Sequence, residues 1–317
     1  MVTRRTVVKG LAVTPVAGAT LFAVPVHVLG QDTVAIGSKN FTEQLILGEM
    51  YAQRLEALGL PVSTSLNLGG TAVAHEALVA GEISLYPEYT GTALTVILEI
   101  PIASVQGTPE AGASPVAGTI DERVYQLVAD GYLEQFDLVW LDETPFNNTQ
   151  ALAVKRAFAE EQGISTISEL AAIAGDLTIV APSDFVERPD GLLGLQEFYG
   201  MEFGEVLSVE PGIRYQALQE DQAEVVLAFG TDGQVAGFDL VLLADDLGLW
   251  PPYHVAPVVR QDVLDAYPEL ADALNEIAPL LTDEVMAELN WRVDGDAGEE
   301  PADVARSFLE ENDLLGE

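Results

Sequence analysis

The sequence predicts an α/β fold of two lobes, and three observations carry that prediction. Strand-like runs near the N-terminus are each followed by a polar or glycine turn and a helical pattern, which is the signature of a parallel sheet. The same alternation restarts after residue 148. The two halves also echo each other. Ala77-Leu78 leads to Glu82-Ile83-Ser84-Leu85, then Tyr89 and Thr90, while Ala217-Leu218 leads to Glu224-Val225-Val226-Leu227, then Phe229 and Thr231. Two such lobes would face each other across a cleft with an aromatic at each strand end. In open α/β sheets, ligands bind at the carboxyl ends of strands.

Residues 33–37 read as a strand and residues 38–42 as a polar loop. Leu45, Ile46, Met50 and Leu55 fall near helical spacing over 42–58, and Gly59 stops that helix. Residues 61–68 alternate as a strand, and Gly69-Gly70-Thr71 opens a helix over 73–80. Residues 83–86 form a third strand, expected to end at Pro87 because proline cannot donate to a ladder. Gly91 then allows a tight turn, and Thr92 can open the next helix. Tyr89 and Thr92 therefore sit at the carboxyl end of a strand. Residues 99–118, with prolines, glycines and little charge, read as a surface insertion.

A helix over 121–132 and a strand over 138–141 follow. Residues 146–150 lead into a strand over 151–154 and mark the first crossing between lobes. The second lobe carries helices over 167–174, 192–199 and 215–220. Its strands cover 177–181, 206–209, 224–229 and 240–244. A polar loop over 182–191 holds Arg188. Trp250-Pro251-Pro252-Tyr253 is the return crossing, followed by a strand over 256–259 and helices over 270–277, 282–293 and 302–311. The lobes are thus 33–147 plus 251–317, and 148–250. With 317 residues, 49% of them apolar, each can bury a core.

The net charge is −38. Residues 1–30 hold Arg4, Arg5 and Lys9 and no acid, so the remainder carries 10 basic against 51 acidic residues. That surface argues against nucleic acid or anionic lipid as a partner, because phosphate binding needs basic patches. It favours solubility and is compatible with a saline habitat. The chain has no cysteine, which excludes disulfides and a lipid anchor on a cysteine. Thr3-Arg4-Arg5-Thr6-Val7-Val8-Lys9 before an apolar run to Gly30 looks like a twin-arginine export signal. Cleavage after Gly30 and retention as a membrane anchor both fit the length of that run. Either places the folded body outside the cytoplasm, periplasmic or extracellular.

Five motifs in order resemble a known family: Ile36-Gly37-Ser38-Lys39-Asn40-Phe41-Thr42-Glu43-Gln44, Leu68-Gly69-Gly70-Thr71, Tyr86-Pro87-Glu88-Tyr89-Thr90-Gly91-Thr92, Arg188-Pro189-Asp190-Gly191-Leu192 and Thr231-Asp232-Gly233. Together they are similar to the substrate-binding proteins of glycine betaine, carnitine and choline (osmoprotectant) ABC transporters. The resemblance implies a two-lobed type II periplasmic binding protein, a "Venus flytrap" with the ligand in the interlobe cleft. It implies permease subunits as partners and no cofactor. It also implies an aromatic box around a quaternary ammonium, which has no N–H to hydrogen-bond but is bulky and cationic. Position by position, Tyr89, Tyr253, Lys39, Thr92 and Arg188 match the family. Phe229 replaces a tyrosine, Gln150 replaces an aromatic, and Asn148 matches a position whose backbone carbonyl meets the ligand.

Alternatives stand beside these roles. Arg188 can pair with Asp184, Glu187 or Asp190, Tyr253 can pack on Pro251 and Pro252, and Phe41 reads first as a staple at the start of a helix. His75-Glu76 lacks the further ligands a metal needs. An exported enzyme is the competing class, but there is no Gly-x-Ser-x-Gly elbow and no plausible Ser/His/Asp set. A sensor without a transporter, and a flytrap for another small zwitterion such as ergothioneine or an amino acid, remain open.

Overall fold

The computed structural model describes residues 33–105 and 118–316. The export-signal reading of residues 1–30 and the middle of the 99–118 insertion lie outside the described residues. The strands are β1 (Val34–Gly37), β2 (Val62–Ser65), β3 (Leu85–Tyr89), β4 (Leu138–Trp140), β5 (Gln150–Lys155), β6 (Thr178–Ala181), β7 (Glu205–Ser208), β8 (Val225–Phe229), β9 (Leu240–Leu242) and β10 (Val255–Arg260). They form two five-stranded sheets, ordered β2-β1-β3-β10-β4 and β7-β6-β8-β5-β9. The sheets have one topology, and the sequence echo falls on equivalent central strands, β3 and β8.

In each sheet three strands run parallel and the fourth position runs antiparallel, β10 beside β3 and β5 beside β8. Those antiparallel strands arrive from the opposite half, so the chain crosses between sheets twice. The chain passes from one sheet to the other between Trp140 and Gln150 and returns between Leu242 and Val255. Each sheet buries apolar side chains on both faces, with Ile46, Leu47 and Met50 on one side of the first sheet and Tyr86, Val124 and Val128 on the other. The second sheet is covered by Ile167, Leu170 and Leu195 on one side and by Tyr215 and Leu218 on the other.

Helix α1 (Thr42–Ala57) sits on the first sheet and ends where Gly59 takes φ +82°, as its glycine predicts. Helix α2 (Thr71–Ala80) follows β2. The helices Asp283–Asp294 and Pro301–Glu311 return to α1, and Gln53 of α1 donates to the Ala302 carbonyl.

The structure corrects four local expectations. Strand β3 does not stop at Pro87 but continues to Tyr89. Pro87 lies opposite Pro257 of β10. The Thr90 N–H bonds the His254 carbonyl, so by alternation the hydrogen-bonded pairs are 90/254, 88/256 and 86/258. The two prolines meet at the pair between, which exchanges no N–H bonds across β3 and β10. Gly91 makes no tight turn, because the chain enters the helix Thr90–Thr92 directly. The polar loop over 182–191 contains the helix Ser183–Glu187. Helices Arg156–Gln162 and Gln261–Ala266 form directly after β5 and β10, where no element was expected.

Candidate functional site

The carboxyl ends of β1, β3, β6 and β8 open into one cleft of about 400 Å³. Residues 38–42 follow β1, Tyr89 and Thr92 follow β3, residues 182–188 follow β6, and Phe229 and Asp232 follow β8. The two crossings add Asn148, Gln150 and Tyr253, and the helix Asp283–Asp294 adds Asn290 and Asp294. All eight residues singled out from the sequence, Lys39, Tyr89, Thr92, Asn148, Gln150, Arg188, Phe229 and Tyr253, line this cleft.

Every basic side chain lining the cleft is already paired. Lys39 Nζ lies 2.5 Å from Glu88 Oε1, and Glu88, fully buried, also accepts from the Tyr86 hydroxyl and the Tyr89 N–H. Burial pulls the Lys39 ammonium below its ordinary pKa, with Glu88 opposing. Arg188 forks onto Asp190 through Nε and Nη2 at 2.7 and 2.6 Å, so of its three sequence partners Asp190 is the one it grips; Asp184 lies 4.0 Å away. Its Nη2 also reaches Thr92 Oγ1 at 3.4 Å, across the cleft. Arg214, not singled out from the sequence, pairs with Asp232 at 2.5 Å and lies 5.2 Å from the Phe229 ring centroid.

Asp190 is the hub of the second lobe's contribution. Besides Arg188 it accepts from Gln150 Nε2 at 2.9 Å and from the Tyr253 hydroxyl at 2.6 Å. Burial works against its ionisation, but Arg188 and the Tyr253 hydroxyl outweigh it and hold its carboxyl below the ordinary value. Tyr253 is therefore anchored by its hydroxyl rather than merely packed on prolines. Gln150 stands directly opposite Phe229 in the β5–β8 register and spends its amide on Asp190 and Tyr253.

The aromatic surface comes from Phe41, Tyr89, Phe185, Phe229 and Tyr253. Phe41 precedes the first turn of α1, but instead of serving only as a staple it lines the cleft, stacked on Tyr89 with centroids 6.1 Å apart. Gly91 lets the Tyr253 ring pack close to β3: a Cβ there would lie 2.7 Å from that ring. The sequence reading missed Glu43 altogether as a site residue. Its carboxylate is buried and accepts from Tyr89 Oη at 2.7 Å, Asn148 Nδ2 at 2.7 Å, Thr231 Oγ1 at 2.5 Å and Asn290 Nδ2 at 2.9 Å. Burial pushes this carboxyl up from its ordinary pKa, and the bonds from Thr231, Tyr89 and Asn290 act the other way.

Two signals in the sequence could have exposed part of this. Arg214 is one of only 10 basic residues after residue 30, and Glu43 lies inside the first motif. Asp190 and Asp232 also lie in the quoted motifs, but among 51 acids nothing local marks them as buried. His75 is packed edge-on against Tyr132 and Phe136. Among the described residues no group of three histidines and carboxylates could hold a metal, and no helix is long and apolar enough to cross a membrane.

The profile of the substrate-binding domain of ABC-type glycine betaine transport systems matches residues 32–311. A glycine-betaine-binding protein of Pseudomonas aeruginosa is 35% identical over 299 residues, covering 90% of this chain and 89% of that protein. An ergothioneine transport permease/ergothioneine binding protein of Helicobacter pylori is 30% identical over 293 residues; the match covers 92% of this chain and only 50% of that longer protein. The crystal structure of a glycine betaine/carnitine/choline ABC transporter superposes with a TM-score of 0.67 at 29% identity, covering 89% of this chain and 99% of that one. With its paired sheets, its cleft at the strand ends and a family match across the described body, the chain belongs to the family of substrate-binding domains of ABC-type glycine betaine transport systems.

Proposed function

We propose that this protein is an extracytoplasmic solute-binding protein that hands a quaternary ammonium osmoprotectant, of the glycine betaine type, to the permease subunits of an ABC importer, and that it catalyses no reaction. One observation carries the reading: aromatic faces from both sheets line a cleft in which acids outnumber bases. Glu43, Asp184, Glu210, Asp232 and Asp294 line it against Lys39, Arg188 and Arg214, and each of those bases is tied to an acid. A trimethylammonium head needs such a surface, since aromatic quadrupoles and dispersion hold it at ~0.5–2 kcal/mol per contact. In this reading Tyr89, Phe41, Phe229 and Tyr253 hold the head, Arg188 and Thr92 receive a carboxylate where the ligand has one, and Lys39, Asn148 and Gln150 complete the walls. The lobes are 33–147 plus 251–317 and 148–250, and residues 1–30 direct export by the twin-arginine route.

A second reading is favoured by a specific observation. Gln150 makes one wall polar, and Asn148 Oδ1 and Asn290 Oδ1 are buried acceptors without a donor among the described residues. A ligand with N–H or O–H groups, such as an ergothioneine-like or amino-acid-like zwitterion, would satisfy them. Thermal unfolding against glycine betaine, choline, carnitine, ergothioneine and amino acids separates the two. A true ligand at 100-fold its Kd adds ~2.7 kcal/mol. Stabilisation by betaine or choline supports the first reading. A shift with only ergothioneine or an amino acid replaces it with the second, and no shift with any of them counts against both.

A further inference from the structure

We propose that the Glu43 carboxylate is the counter-charge for the ligand's cationic head, and that ligand binding is therefore coupled to loss of a proton. The proposal rests on the cationic-ligand reading above.

Four observations support it. Glu43 lines the cleft, yet it is only 2% exposed. Its four donors are all neutral, and among the described residues it forms no ion pair, unlike the acids that neutralise Lys39, Arg188 and Arg214. It joins both lobes, because Tyr89 and Asn290 reach it from the side of the first sheet while Asn148 and Thr231 reach it from the second. And one of its donors is the hydroxyl of Tyr89, a wall of the aromatic box. A phenol that donates to a carboxylate carries more negative charge on its ring, which strengthens the face offered to a cation.

Charged and titratable groups lie on the elements that carry Glu43 and its donors. Tyr51 lies on its own helix. Tyr89 and Glu88 come from β3, with Glu88 bonded to Lys39. Asp232 lies on the loop after β8 and is bonded to Arg214. Asp294, on the helix that carries Asn290, holds Thr42. Two of these acids are neutralised by a base, and Asp294 forms no ion pair among the described residues, so the described residues leave no surplus positive charge to offset Glu43. An unpaired buried carboxylate is costly to ionise, and burial does push this one up. A fixed cation beside it would pull it down again. Binding should therefore release a proton wherever the ambient pH lies between the ligand-bound and free values, and affinity should fall as pH falls through the free value.

The test is calorimetry of choline and of glycine betaine between about pH 5 and 8, in buffers of different ionisation enthalpy. Neither ligand titrates in that range. The expected result is proton release that grows toward acid, with affinity falling by up to about tenfold per pH unit below the free-state value. Glu43→Gln should bind on the order of 10- to 100-fold more weakly at neutral pH and lose the pH slope. The proton count on the wild-type protein stands even if the variant folds poorly. Tight binding with no proton release overturns the proposal and leaves the ligand reading intact. A full pH slope retained in Glu43→Gln also overturns it. No heat with either ligand at any pH overturns the cationic-ligand reading, and the proposal with it.

Discussion

Asp190 is fully buried and takes bonds from Arg188, Gln150 and Tyr253, so it ties a strand-end loop of the second sheet to both crossings. Removing its charge strands the Arg188 guanidinium. Breaking one partner of a buried pair typically costs ~3–5 kcal/mol, so Asp190→Asn should lose stability on that scale in urea denaturation. The pH dependence has a definite sign. The native carboxyl titrates below its ordinary value, so its contribution is present at neutral pH and is lost as pH falls through that lowered value. The gap between wild type and Asp190→Asn should close only below the ordinary carboxylate range; a gap constant down to strong acid would place the loss elsewhere. Gln150 belongs to the same network. The polar residue that replaces the family's aromatic is structurally committed, and a larger ring there would displace two bonds.

The β3 segment shows how an element can be set by what packs on it. Pro87 survives mid-strand because Pro257 faces it at a pair that exchanges no N–H bonds. Gly91 survives because the Tyr253 ring occupies the space of a Cβ. Tyr253 is held by its hydroxyl and cannot swing aside without losing Asp190. Gly91→Ala should therefore cost ~1–3 kcal/mol by overpacking and weaken ligand binding, because the displaced ring is a cleft wall. A variant with wild-type melting temperature and affinity would show that Tyr253 has room to move.

At the scale of the whole molecule, the cleft is held by bonds that join the lobes: Thr92 to Arg188, Tyr253 to Asp190, and the Glu43 cluster. A ligand that touches both sides stabilises the closed arrangement by its differential contacts. Small-angle scattering should show a smaller radius of gyration at saturation with a tight ligand than without one. An unchanged radius under saturating ligand would argue against closure as the response to binding.

The α/β class, the two lobes and the order of nearly every strand are legible in the sequence alone. Each depends on local information: a glycine after α1, alternation over residues 61–68, apolar spacing that lets Ile46 and Met50 reach one sheet. The cleft was legible in its aromatics and its scarce bases, because Tyr89 and Phe229 stand at recognisable strand ends and Arg188 lies in a polar loop that follows one. What the tertiary structure alone decided is partnership. Glu43 meets Thr231 from 188 residues away and Asn290 from 247, and no periodicity records such a pairing. With 51 acids in the chain, charge type does not distinguish the few that are buried from those that keep the surface soluble. Pro87 read locally ends a strand, and only its facing proline shows otherwise. Hydrophobic pattern reports whether a residue is inside, whereas the identity of its neighbours is set by how the sheets and crossings close around it.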